Sequence, residues 1–174
     1  MPLPVAAFLT SAAGMSVALL KSGRAQMLRI RRILVATDFS KTSRKAVAAA
    51  IDLAKANRAS LTILHAYVPL VPLVPEQYIE AGTWDRIDVE SRRWADDQLT
   101  KLAQRARKSG VRATAMLIVG DPSRQIVRAA RRTHADLIVV GTHGRRGLSK
   151  FFLGSVAERV IATATRPVVT VRES

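Results

Sequence analysis

The residues best placed to do chemistry run from Val140 to Val156, V-G-T-H-G-R-R-G-L-S-K-F-F-L-G-S-V, directly after the apolar run Leu137-Ile138-Val139-Val140. Gly141 and Gly144 are two residues apart, and nine more lead from Gly144 to Gly154-Ser155. Glycine lets the backbone approach a ligand closely and tolerates φ > 0. A helix opening at Gly154-Ser155 turns unpaired N–H groups and the positive end of its dipole toward whatever the loop encloses. Arg145 and Arg146 add positive charge. The stretch suits phosphate, yet it is neither a Walker A loop, which ends Gly-Lys-Ser/Thr, nor the G-x-G-x-x-G fingerprint.

A second polar pair, Thr37-Asp38, closes the apolar run Ile33-Leu34-Val35-Ala36. An aspartate at such a turn either caps the following helix or meets a ligand, and Ser40, Thr42 and Ser43 compete for the capping role. His143 lies inside the glycine loop, where it orients the loop, contacts phosphate or faces water; catalysis is its weakest use. His65 and His134 have no acidic or cysteine companions at ligand spacing, so no metal site is expected. Ser155 suits either a helix cap or a phosphate contact. No G-x-S-x-G elbow marks a serine nucleophile. No Walker B acid is evident, no lysine stands directly ahead of Ser155, and no second carboxylate joins the loop. Phosphoryl transfer needs charge neutralisation and a group that orients the nucleophile. The first could come from Arg145; nothing supplies the second, so no catalytic residue is named.

The elements that must position these groups alternate between strand and helix. Ile33 to Ala36 reads as a buried strand, and apolar residues at 46, 47, 50, 51 and 54 make a helical stripe after it. Leu61 to Val68 reads as the next strand, and Pro69, Pro72 and Pro75 break the chain into a loop. Helical spacing resumes from Ile87 through Ala106, with Trp94 read as core. Val111 to Val119 alternates with period two, as an edge strand with one wetter face would. Asp121-Pro122 is an N-cap followed by proline at the first helical position. Ile126, Val127 and Ala130 mark the third helix. Leu137 to Val140 is continuously apolar, as in a parallel strand covered on both faces. Val156, Ala157, Val160, Ile161 and Ala164 mark the fourth helix, and Pro167 to Val171 a last strand, expected at an edge. Strands separated by helices imply right-handed crossovers and a parallel sheet. Ligands of such sheets bind beyond the strand carboxyl ends, which puts Asp38 and Gly141 in one crevice.

The chain of 174 residues has room for one domain with a real core, and its 48% hydrophobic content excludes disorder. It has no cysteine, hence no disulfide or thiolate chemistry. Net charge is +15, from 28 Lys+Arg against 13 Asp+Glu, a field that favours anionic partners. Aromatics are 5% and do not interleave with the basic clusters, so a solvated arginine-rich surface is preferred over nucleic-acid binding. Residues 1 to 26 are expected to lie outside the fold. The run Val5 to Leu20 falls short of the ~20 apolar residues of a membrane span. Its basic residues, Lys21 and Arg24, follow the apolar stretch rather than precede it as in a secretory signal. A translation start placed too far upstream is the preferred account, with an amphipathic or exported N-terminus second.

The G-x2-G-x9-G-S spacing at Gly141, Gly144, Gly154 and Ser155 resembles the ATP-binding signature of the universal stress protein family. Arg32 to Ser40 resembles the family's first strand, ending in its nucleotide-contacting Asp. Leu61 to Ala66, Val119 to Pro122 and Arg166 to Val171 fall in the family's order, so that the resemblance spans residues 29 to 172. It implies a three-layer α/β sandwich of the adenine nucleotide alpha hydrolase-like type, with a five-stranded parallel sheet in the order 3-2-1-4-5. It implies ATP as ligand, with Mg2+ as an optional companion. The nucleoside would meet Asp38, the backbone of Ala36 and Thr37, and the backbone at Ala66. The phosphates would meet the loop at Val140, Gly141, His143, Gly144 and Arg145 and the helix opening at Gly154, Ser155 and Val156. It further implies a cytoplasmic homodimer joined through the C-terminal strand, acting in stress adaptation as a nucleotide-responsive regulator with at most slow ATP hydrolysis. The rival readings are a slow ATPase or nucleotidyl-transfer domain of the same superfamily, and a basic interaction module for nucleic acid or anionic membrane.

Overall fold

Strand β3 (Arg32–Ala36) holds the centre of a single sheet because Ile33, Leu34 and Val35 are buried and pair in parallel on both sides. The computed structural model describes residues 7–10, 15–19, 29–69, 82–142 and 154–172. After β3 the chain runs through α1 (Lys41–Asn57), β4 (Ser60–Tyr67), α2 (Thr83–Lys108), β5 (Ala113–Val119), α3 (Pro122–Arg132), β6 (Leu137–Gly141), α4 (Ser155–Thr163) and β7 (Val168–Val171). The parallel part has the spatial order β7-β6-β3-β4-β5. Counted from β3 as the first strand, that is the expected order 3-2-1-4-5.

Alternation along the strands divides the core in two, since successive side chains point to opposite faces. On one face Ile33, Val35, Leu61, Ile63, Leu137 and Val139 pack with α1 and α2 residues such as Val47, Ile51 and Leu99. On the other Leu34, Leu64, Ile138, Val140 and Val168 pack with Ile126, Ala130, Ala157 and Val160 of α3 and α4. The result is three layers. β5 lies at the sheet's edge as expected, but its burial does not alternate, since Ala115 and Val119 of the expected inner face are exposed. No helix of the described residues is long and apolar enough to cross a membrane.

The N-terminal segment departs from expectation. β1 (Ala7–Thr10) and β2 (Met15–Leu19) pair antiparallel, and β2 pairs antiparallel with β7, Val17 opposite Val169 and Ala18 opposite Val168. Among the described residues the sheet therefore has seven strands, residues 7–10 and 15–19 contribute to it, and β7 is not an edge. The reason is the ladder itself. All of β7 is buried, and unpaired N–H and C=O groups on its outer side would be costly. A run too short and too polar to span a bilayer is long enough to form two short strands.

Trp94 also departs from the reading that made it core. It is 49% exposed, whereas α2 buries Ala95, Leu99, Ala103 and Ala106.

Candidate functional site

β3 continues to β4 on one side of the sheet, while the crossover from β5 through α3 returns to β6 on the other. The carboxyl ends of β3 and β6 thus flank the point where connections diverge, the usual place for a ligand crevice in an open α/β sheet. Val35 lies opposite Val139, so Thr37 and Gly141 follow at matching heights on the two strands.

The turn after β3 is held by short polar contacts. The hydroxyls of Thr37 and Ser43 lie 2.9 Å apart and buried, and the Phe39 N–H donates to Thr37 Oγ1 at 3.0 Å. Asp38 Oδ1 accepts from the Ser40 N–H at 3.0 Å. Ser40, not Asp38, is the N-cap of α1, with its Oγ accepting from the Ser43 N–H. Burial alone would raise the Asp38 pKa, but hydrogen bonds from Ser40 and Ser43 outweigh it and hold the carboxyl below its ordinary value. The site thus carries a fixed negative charge at neutral pH, suited to hydroxyl donors of a ligand.

Phe39 takes φ 64°, a left-handed conformation that costs an ordinary residue on the order of 1–2 kcal/mol. Its ring packs 4.5 Å from that of His65 and edge-on to Trp94 at 5.1 Å. His65 Nδ1 lies 2.8 Å from the Thr37 carbonyl oxygen, and the Thr37 N–H donates to the Leu64 carbonyl. These contacts tie β4 to the turn that carries Asp38. Sequence reasoning missed this aromatic group, because no local signal marks a phenylalanine that must take positive φ.

Gly141 ends β6 at close quarters with α1. A Cβ placed there would lie 3.2 Å from Thr42 Cγ2 and 3.3 Å from the Ser43 nitrogen. Its missing side chain is thus needed for helix–strand approach. One residue on, the Thr142 N–H and hydroxyl both donate to the Val171 carbonyl. The Gly154 N–H donates to the Thr142 carbonyl at 2.6 Å, so the residues on either side of segment 143–153 meet. His143, Gly144 and Arg145 lie outside the described residues.

α4 opens in a way the sequence did not resolve. Gly154 is the N-cap, with ordinary extended dihedrals (φ −61°, ψ 144°), and makes no side-chain cap hydrogen bond. Ser155 is the first helical residue and is exposed, so its expected role as the cap is corrected. Among the described residues no side chain accepts from the first N–H groups of α4, a donor set that fits an anion. Val156 is exposed beside them, Val140 is buried in β6, and Ala36 and Ala66 line the ends of β3 and β4. Among the described residues no group of three or more His, Cys, Asp or Glu could hold a metal ion.

The fold and crevice define a doubly wound α/β domain with a polar switch-point site. Residues 29–172 match the universal stress protein family, and the chain belongs to it. Universal stress protein YxiE of Bacillus subtilis is 36% identical over 145 residues, covering 81% of this chain and 98% of its own. Universal stress protein UspA from Lactobacillus plantarum shares the fold, of the adenine nucleotide alpha hydrolase-like type, with TM-score 0.73 at 23% identity over 83% of this chain and 99% of that one. A universal stress protein solved in complex with cAMP aligns with TM-score 0.60 at 27% identity, covering 83% of this chain and 98% of that one.

Proposed function

We propose that this protein binds ATP or a related adenine nucleotide, with Mg2+ as an optional companion, and that occupancy of the crevice is the signal by which it acts in stress adaptation. The observation that carries the reading is that Asp38, its carboxyl held below its ordinary pKa, follows the end of β3, while the opening of α4 is tied through Gly154 to Thr142 at the end of the neighbouring parallel strand β6. An acid that accepts hydroxyl donors and a helix end that accepts phosphate are the two halves of a nucleotide site. The relative in complex with cAMP supports the adenine part.

In this reading Asp38, with the backbone at Ala36, Thr37 and Ala66, meets the nucleoside. Val140, Gly141, His143, Gly144, Arg145, Gly154, Ser155 and Val156 form the phosphate side. The protein operates in the cytoplasm as a regulator with at most slow hydrolysis, and pairs as a homodimer through β7 when that edge is free.

The test is mass spectrometry of gently purified protein for co-purified nucleotide, followed by titration calorimetry with ATP and adenosine and a single-turnover assay. Binding of both ligands without appreciable turnover is expected. Failure of either to bind would end the reading, and rapid turnover would favour the ATPase.

A further inference from the structure

Away from the crevice, the outer sides of α3 and α4 enclose a groove of about 620 Å3 lined by Arg124, Arg128, Arg131 and Arg159, with Ser123 and Thr163 among its walls. The α3 arginines recur at i, i+4 and i+7, which places them on one helix face. All four are exposed, while Ile126, Ala129 and Ala130 of α3 and Ala157 and Val160 of α4 face the core. Helix α3, PSRQIVRAARR, contains no carboxylate. Among the described residues no carboxylate forms an ion pair with these four guanidinium groups. Asp121, the N-cap of α3, interacts electrostatically with Arg124 and Arg159. Among the described residues Arg128 and Arg131 thus have no carboxylate partner within ion-pair distance.

We propose that this groove is a second anion site and that it takes a compact oligophosphate. Guanidinium forks match phosphate oxygens two at a time, a geometry that lysine cannot reproduce. Four such forks around one concavity call for a ligand with several adjacent phosphate charges. The volume falls within the ~300–1,000 Å3 of small-molecule sites. Among the described residues no aromatic side chain lines the groove, so these offer no platform on which bases of a single strand would stack. This site does not depend on nucleotide binding at the crevice.

The experiment is calorimetric titration with sodium tripolyphosphate at low and moderate salt, on the parent chain and on Arg128→Gln/Arg131→Gln. The parent should bind one equivalent, more weakly as salt rises. The double variant should bind about tenfold or more weakly, with an unchanged melting temperature and unchanged adenosine affinity, since both side chains are exposed. Arg128→Lys/Arg131→Lys keeps the charge and loses the fork, and should fall between the two. Absence of tripolyphosphate binding by the parent, or equal binding by the glutamine variant, overturns the proposal. So does binding of a single-stranded oligonucleotide through these arginines when tripolyphosphate does not bind. Loss of adenosine binding alone would count against the crevice and leave the groove result standing.

Discussion

The Gly154 N–H donates to the Thr142 carbonyl oxygen across 2.6 Å, joining the end of β6 directly to the opening of α4. Whatever segment 143–153 contributes is therefore delivered between two fixed points, one on the central sheet and one on a helix terminus.

Gly154→Val tests close approach at that terminus. The dihedrals of Gly154 are open to any L-residue, so loss of binding would report steric exclusion rather than backbone strain. ATP affinity should fall to that of adenosine while adenosine binding is kept. Ser155→Ala should be milder. Losing one hydrogen bond to a charged group costs about 1.5–3 kcal/mol, or roughly one to two decades in ATP affinity. Calorimetry with both ligands checks the division, and parental ATP binding by Gly154→Val would reduce the segment to a connection.

Gly141→Ala tests packing. Its Cβ would press on Thr42 and on the backbone of Ser43, the residue whose hydroxyl meets Thr37. Overpacking of this kind costs roughly 1–3 kcal/mol, and the start of α1 should shift. Denaturant unfolding should show the loss, and adenosine affinity should drop with it because the Asp38 turn moves.

Asp38 gives a pH dependence with a definite sign. Its folded pKa lies below the ordinary 3.8, so its charge contributes stability fully above the unfolded value, and the contribution is lost as pH falls through the folded value. Asp38→Asn should flatten that part of the acid unfolding profile, measured by chemical denaturation at stepped pH, and leave the neutral region parallel to the parent. Asp38→Ala should weaken adenosine and ATP by the same factor, because its proposed contacts lie on the nucleoside.

Removal of residues 1–26 should free the outer edge of β7, which β2 now occupies. An unpaired edge invites a second chain, so sedimentation equilibrium should show the parent as monomer and the shortened chain as a homodimer. Adenosine affinity should be unchanged, since β7 and β6 stand between the hairpin and β3. A shortened chain that stays monomeric with the parent's melting temperature would show that the hairpin contributes nothing at this edge.

Much of this architecture is legible locally. Leu137 to Val140 announces a strand covered on both faces, and all four residues are buried. Asp121-Pro122 announces a cap and a first turn, and Asp121 accepts from the Arg124 N–H while Pro122 opens α3. Other features depend on partners far along the chain. Trp94 fits its helical stripe, yet its ring meets Phe39 edge-on at the turn after β3 and stays 49% exposed. The short apolar runs before Leu20 carry no strand signal of their own; the ladder of β7 supplies their reason to be extended.

Taken alone, the sequence determined the alternation of strand and helix and the two polar stretches that follow β3 and β6, while the strand order came from the family resemblance. Periodicity and turn chemistry act over a few residues, so they can be read without coordinates. Tertiary structure alone decided that Ser40 rather than Asp38 caps α1, that Gly154 rather than Ser155 caps α4, and that β7 has a neighbour. The first is a choice between polar groups competing for one N–H, and the other two rest on backbone partners from distant parts of the chain, Thr142 for Gly154 and β2 for β7, which only the folded chain brings within about 3 Å.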